Sequence, residues 1–145
     1  MSAVGKDQLA DVANEVLARL PHTGRAAVVA LRGDLGAGKT TFTQALAKEV
    51  GVDEVVQSPT YVLMKKYVTR HPHFTTLIHI DAYRLDKPEQ FSALRPEEFM
   101  ADPHALVCIE WPERVEGMLP KPDMVLRFSA EGAPEGERYI SIDSE

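Results

Sequence analysis

The chain has 145 residues, of which 44% are hydrophobic and 26% are charged. This balance is typical of a folded globular protein, and the length predicts one α/β domain over residues 1–145. The formal net charge of −6 argues against a protein that holds RNA or DNA by itself, because such proteins carry a basic face.

Two further classes are excluded by sequence patterns. The apolar stretches are shorter than the roughly 20 residues that a membrane helix needs, so we expect no membrane association. The first residues lack the basic and apolar segments of a signal peptide. The single cysteine, Cys108, excludes an internal disulfide framework, and its apolar neighbours predict a buried core residue. These features together predict a cytoplasmic protein.

The first predicted elements are a helix, a strand and a second helix. Apolar residues at helical spacing predict an amphipathic helix from Leu9 to Leu20, ended by Pro21. The run 26–31 is wholly apolar and predicts a strand covered on both faces, as in a parallel sheet. A second helix is expected to begin near Lys39 and to end at Gly51.

Residues 33–40, between this strand and the second helix, read G-D-L-G-A-G-K-T and form a phosphate-binding loop. Gly33, Gly36 and Gly38 let the backbone curl so that successive N–H groups face phosphate oxygens. Lys39 places a cation against the β- and γ-phosphates, and the Thr40 hydroxyl can ligate Mg²⁺. The positive end of the helix dipole faces the same phosphates. The sequence therefore predicts a site for a nucleoside triphosphate.

The rest of the chain alternates strands with turns and short helices. Residues 70–74 contain Pro72 and are predicted to form an exposed hairpin tip. The other predicted elements are a turn at 57–61, strands at 62–68, 76–81 and 105–110, a helical region at 87–100 broken near Pro96, and a terminal antiparallel hairpin of 124–128 with 138–142.

Two of these strands end in a carboxylate, Asp81 in one and Glu110 in the other. Phosphate-loop enzymes use a second acidic group on a neighbouring strand to hold Mg²⁺ or its waters. Ligands collect at the carboxyl ends of strands in open α/β sheets. We therefore predict that Glu110 is the metal-side carboxylate and that Asp81 belongs to the same site. The alternative is a helix cap or a surface charge.

Several nearby side chains have roles that the spacing leaves open. Thr60 in the S-P-T turn is either a switch threonine that senses the γ-phosphate or the cap of a simple turn. His79 shares a sheet face with Asp81, and a structural histidine is the default interpretation over a catalytic one. Tyr83, Arg84 and Trp111 follow the two carboxylates and are candidates for the site, an interface or the core.

Four motifs in this order resemble one family. G-D-L-G-A-G-K-T-T, S-P-T-Y, H-I-D-A-Y-R-L and I-E-W-P-E, within about Val28 to Glu113, are similar to those of the bacterial TsaE (YjeE) family. That family supplies the ATPase of tRNA threonylcarbamoyladenosine (t6A) biosynthesis. The resemblance implies a single-domain P-loop NTPase, with a mainly parallel central sheet flanked by helices and antiparallel edge hairpins.

The resemblance also implies roles for individual residues. Lys39 would neutralise phosphate charge, and Thr40 and Glu110 would ligate Mg²⁺. Asp81 would help to position the attacking water or the outer waters of the metal ion, and Thr60 would be the switch threonine. The residues implied in nucleotide binding are Asp34, Leu35, Gly36, Ala37, Gly38, Lys39, Thr40, Thr41 and, near the end of the chain, Arg138.

The implied activity is slow hydrolysis of ATP that acts on a complex of two proteins, TsaD and TsaB. Hydrolysis would reset this complex between turnovers at adenosine 37 of tRNA, with the RNA held chiefly by the partners. A small-molecule kinase is disfavoured because 145 residues leave little room for an acceptor pocket and a lid. A non-catalytic module gated by nucleotide remains an alternative.

Overall fold

The computed structural model of the chain describes residues 3–33, 38–54, 56, 63–85 and 87–144, with only the backbone of residues 84 and 144. Seven strands form one sheet. They are β1 (Ala3–Gly5), β2 (Ala27–Arg32), β3 (Met64–Val68), β4 (Thr76–Asp81), β5 (Ala105–Glu110), β6 (Met124–Ser129) and β7 (Glu137–Ser144).

Four α-helices accompany these strands in the part of the chain that the structure describes. They are α1 (Leu9–Arg19), α2 (Lys39–Glu49), α3 (Pro88–Ser92) and α4 (Pro96–Met100). Short 3-10 turns lie at Lys6–Gln8, Ala82–Arg84 and Pro112–Val115. Within the described ranges, no helix combines the length and the apolar character that crossing a membrane requires.

The strand order is β1-β7-β6-β2-β5-β4-β3. The four middle strands, β6, β2, β5 and β4, pair in parallel. The outer strands pair antiparallel, β3 with β4 at one side and β1 with β7 and β7 with β6 at the other. This arrangement confirms the predicted α/β fold, with a parallel centre, flanking helices and antiparallel edge hairpins.

The sheet is covered on both faces, as the apolar run of β2 predicts. Val29 and Leu31 of β2 face a core shared with Phe42 of α2. The alternate residues Val28 and Ala30 face a second core, which α3 and α4 cover. Since successive residues of a strand point to opposite faces, residue parity decides which helices a side chain meets.

The predicted boundaries of β4 and β5 match the structure, and those of the helices differ by a residue or two. One strand was not predicted, and one prediction is wrong. The strand β1 is absent from the prediction because three residues carry no periodic signal. The predicted exposed hairpin tip is wrong at Phe74, which is fully buried in the core with Leu77 and Tyr67. Burial of this large apolar side chain stabilises the fold by more than it costs to bring the turn inward.

Candidate functional site

The helix α2 begins directly after the phosphate-loop sequence. Gly38, the residue before it, has φ of 96°, a conformation that residues with a Cβ rarely adopt. A Cβ at this glycine would lie 3.5 Å from Cγ of Arg138 on β7. The predicted residues Asp34, Leu35, Gly36, Ala37 and Thr60 lie outside the described part of the chain.

The first turn of α2 faces the end of β5. The Thr40 hydroxyl lies 3.2 Å from Oε2 and 3.4 Å from Oε1 of Glu110, to which it donates. The carboxylate is nearly buried, with 4% of the residue exposed. Leu31, at the end of the strand that leads into the loop, is the register partner of Glu110. The two predicted Mg²⁺ ligands are therefore neighbours at the same edge of the sheet.

Asp81 lies beside Glu110, its register partner in the parallel pairing of β4 with β5. Its Oδ1 accepts a hydrogen bond of 3.0 Å from the backbone N–H of Tyr83, at the start of a 3-10 turn. The carboxylate thus caps this turn, as the alternative interpretation proposed, and it also borders the candidate site.

His79 contacts Glu110, a relationship that sequence reasoning missed. Its Nε2 lies 2.7 Å from Oε2 of the carboxylate, and its side chain is fully buried. Because a carboxylate only accepts, Nε2 is the protonated nitrogen. The H-I-D alternation places the histidine on the same face as Asp81, but only the pairing of β4 with β5 brings it to the glutamate.

The amine of Lys39 is enclosed by polar and aromatic groups. It donates to the carbonyl of Gly33 and lies 3.7 Å from the centroid of the Trp111 ring. Trp111 has φ of 60°, a left-handed conformation that is uncommon for a non-glycine residue. The Tyr83 ring lies 5.0 Å from that of Trp111, and the guanidinium of Arg114 lies 5.3 Å from the Tyr83 ring. These contacts extend from the Lys39 amine to the protein surface.

The predicted core residue Cys108 is fully buried beneath α2, which confirms its assignment. Burial raises the pKa of its thiol to about 12, against a smaller lowering by the hydrogen bond with Thr43. Thr43 itself donates to the carbonyl of Lys39 at 3.1 Å. This cysteine is therefore a neutral thiol in the core beneath α2.

A cleft of about 160 Å³ lies between the start of α2, α1 and the β6–β7 hairpin. Its walls combine apolar groups with the positive side chains of Lys6 and Arg138. The lining residues include Leu9, Thr41, Phe128 and Ile140. Gly38 also lines this cleft, which brings together Thr41 and Arg138, two of the residues that the family resemblance implies in nucleotide binding.

The oxygen atoms at this edge suit Mg²⁺, which prefers hard oxygen ligands. Among the described residues, no group of three or more His, Cys, Asp or Glu side chains has the geometry to hold a metal ion. Thr40 and Glu110 offer only two protein ligands. Mg²⁺ is commonly held by one or two carboxylates together with substrate phosphates, and this site fits that pattern.

Comparison with known proteins identifies the family. The model of the family described as "Threonylcarbamoyl adenosine biosynthesis protein TsaE" matches residues 5–140. The chain belongs to the TsaE family. The match extends from the last residue of β1 into β7, so it includes α2, the carboxylates and Arg138.

Individual TsaE proteins are similar over most of their length. The TsaE of Haemophilus influenzae is 37% identical over 114 residues, which cover 79% of this chain and 69% of that protein. The TsaE of Rickettsia bellii is 42% identical over 119 residues, or 81% of this chain and 78% of that protein. The crystal structure of Bacillus subtilis YdiB superposes with a TM-score of 0.60 and 25% identity, covering 97% of this chain and 81% of that one.

Proposed function

We propose that this TsaE chain binds ATP with Mg²⁺ at the N-terminus of α2 and hydrolyses it. The observation that carries the proposal is the contact of Thr40 with Glu110, 3.2 Å apart, next to the buried amine of Lys39. A cation, a hydroxyl and a carboxylate at the start of a helix are the groups that a magnesium triphosphate requires.

Each residue of the site has a proposed task. Lys39 would move from Trp111 to the β- and γ-phosphates, whose charge it balances better than the face of a ring does. Thr40 and Glu110 would hold Mg²⁺, which would supply positive charge against the negative charge that develops on the phosphates during hydrolysis. Asp81 would orient the attacking water. Thr60 would order its loop when the γ-phosphate is present.

The nucleoside would bind in the cleft beside α2. Thr41 and Arg138 would bind it where the cleft leaves the phosphate loop. The apolar walls of the cleft offer a planar base a surface to pack against, and the arginine adds charge near the phosphates. The other proposed nucleotide contacts are the backbone groups of residues 34–38.

We further propose that ATP hydrolysis serves t6A biosynthesis in the cytoplasm, where the chain would act on TsaB and TsaD. The family supports this pathway, and the net charge of −6 favours tRNA binding by the partners rather than by this chain. Hydrolysis by the isolated chain would be slow, because switch-type sites often need a partner to become ordered. The output would be a conformational change that allows a further turnover.

Reconstitution tests the proposal directly. TsaB, TsaD, tRNA and the threonylcarbamoyl donor would be incubated with this chain, and t6A per TsaD would be measured over time. We expect multiple turnovers with the wild-type chain and at most one without it. Glu110→Gln, which removes the metal-side charge, should still bind TsaB–TsaD but support only one turnover.

Three results would decide against this role. Full multi-turnover activity with Glu110→Gln would favour a non-catalytic module, because hydrolysis would then be unnecessary. Transfer of the γ-phosphate to an added metabolite would favour a kinase. Calorimetry on folded wild-type protein provides the baseline, since absence of Mg²⁺–ATP binding would contradict the proposal at its first step.

A further inference from the structure

We infer that His79 is a positioning residue that holds the Glu110 carboxylate in the orientation required for Mg²⁺. This inference rests on the proposed function of the site. The contact that carries it is the 2.7 Å hydrogen bond from Nε2 to Oε2. That length is typical of a hydrogen bond to an ionised acceptor, which is stronger than one between neutral groups.

A glutamate side chain needs such a restraint at this position. It has three rotatable bonds, and Glu110 is the last residue of β5, so its backbone fixes only where the side chain starts. The Thr40 hydroxyl restrains it only loosely, at 3.2 and 3.4 Å. His79 restrains the glutamate side chain from the adjacent strand, because β4 pairs in parallel with β5.

The burial of His79 argues against a role in packing alone. A fully buried imidazole is costly unless it is hydrogen-bonded, and an apolar side chain of similar size would pack there more favourably. Among the described residues, its Nδ1 has no hydrogen-bond partner. The described hydrogen bonding of this imidazole is therefore directed to Glu110.

The two oxygen atoms of the Glu110 carboxylate would therefore have different roles. Oε2 accepts from His79 and is also the oxygen nearer to the Thr40 hydroxyl, so the histidine would keep the plane of the carboxylate fixed and leave Oε1 available to the metal ion. Outer-sphere partners of this kind typically change metal affinity by about 10- to 100-fold when they are removed. His79 would thus act on Mg²⁺ without touching it.

The test compares the Mg²⁺ dependence of ATP binding among variants at one position. Calorimetry gives the ratio of the ATP Kd in EDTA to that in excess Mg²⁺, which we call the magnesium gain. His79→Leu should lower this gain by about 10- to 100-fold and leave the Kd in EDTA unchanged. His79→Gln should restore most of it, because its amide N–H reaches about as far as Nε2 of histidine. His79→Asn should not, because its amide reaches only as far as Nδ1.

Cys108→Ala is the matched control. Cys108 is the register partner of His79, is equally buried and lies on the same face of the sheet. Its truncation disturbs packing under α2 without removing a donor to Glu110, so the magnesium gain should stay at the wild-type value. The comparison of Gln with Asn stands even if the Leu variant does not fold.

The possible failures are distinguishable. A wild-type protein without Mg²⁺-dependent ATP binding would overturn the proposed function and this inference together. A wild-type protein with a clear magnesium gain that His79→Leu, or both amide variants, retain in full would overturn the inference alone. Equal loss in Gln and Asn, with parallel loss in EDTA, would assign His79 a packing role and also overturn it.

Discussion

The Thr40 hydroxyl lies 3.2 Å from Oε2 of Glu110, although the two residues are 70 positions apart in the chain. The contact joins the first turn of α2 to the end of β5. It brings together a residue of the phosphate-loop motif and the carboxylate at the end of a strand, so that their oxygen atoms line one position.

Replacement of Thr40 by valine should remove one metal ligand at nearly constant shape. Because a hydrogen bond or ligand contact to a charged group is worth about 1.5–3 kcal/mol, we expect the magnesium gain in ATP binding to fall by about 10- to 100-fold. Thr40→Ser, which keeps the hydroxyl, should retain it. The measurement is calorimetry with Mg²⁺ and with EDTA.

Thr41 supplies the matched control for this prediction. It is the next residue of α2, but it lines the cleft beside Arg138 rather than facing Glu110. Thr41→Val should therefore change ATP affinity equally with and without Mg²⁺. If Thr41→Val lowered the magnesium gain as much as Thr40→Val, the assignment of the ligand to Thr40 would be wrong.

The contact between Lys39 and Trp111 should make nucleotide binding visible by fluorescence. Trp111 is the only tryptophan in the chain, and a lysine amine lies 3.7 Å from its ring centroid. When Lys39 moves to the phosphates, the indole loses this charge, so its emission should change as Mg²⁺–ATP is titrated. Lys39→Met should show no change over the same range, and an unchanged wild-type spectrum at saturation would contradict the proposed movement.

Gly38→Ala should destabilise the protein even without nucleotide. A Cβ forces strain at φ of 96°, whereas its distance of 3.5 Å from Cγ of Arg138 is an ordinary van der Waals contact, so the backbone conformation is the cause. We expect the free energy of unfolding to fall by at least about 1 kcal/mol, measured by urea denaturation at constant slope. Gly24→Ala is the control, since a Cβ there meets no atom within 4 Å. Equal stability of the two variants would argue against strain at Gly38.

A histidine cluster at the opposite end of the sheet should make stability depend on pH. The rings of His22 and His73 stack at 3.7 Å, and His104 lies 4.9 Å from His73. Burial lowers the pKa of His71 and of His73 below 6.5, and each is lowered further by two neighbouring histidines; the Pro103 carbonyl raises that of His73 in part. The Asp102 carboxylate borders the cluster and accepts a hydrogen bond from the backbone N–H of His104.

The direction of the pH dependence of stability follows from these lowered pKa values. The unfolded chain binds protons at the ordinary pKa of 6.5, at which the folded cluster still resists protonation. The stabilisation is therefore complete above 6.5 and is lost as the pH falls through 6.5 towards the folded values. Urea midpoints should decrease from about pH 7.5 to about pH 5.5, and His73→Gln should decrease less over the same interval. Identical slopes for the two proteins would remove the cluster as the cause.

Sequence patterns were sufficient for most of the fold and for placing the candidate carboxylates at one end of the sheet. The apolar runs of β4 and β5 end in Asp81 and Glu110, and the rule that ligands gather at strand ends places both near the phosphate loop. The phosphate-loop pattern gives the start of α2. These signals are local, because each depends on residues that are adjacent in the chain.

The contacts between elements could not be predicted in the same way. Period-two alternation predicts the sheet face of His79 but not which residues of β5 lie beside it. Its hydrogen bond to Glu110 could therefore not be predicted from the sequence pattern. The position of Trp111 over Lys39 depends on a left-handed backbone conformation that its residue type does not favour. Arg138 reaches Gly38 only through the pairing of β7 with β6, far along the chain.

The register of β5 between β2 and β4 also limits which changes of chain length the protein can accept. Inserting or deleting one residue between Ala105 and Glu110 would turn the glutamate towards α3 and α4 and leave an apolar neighbour in its place under α2. The same change in the turn between β6 and β7, at 130–136, leaves every face as it was. Length variation among related chains should therefore concentrate in that turn and avoid β5.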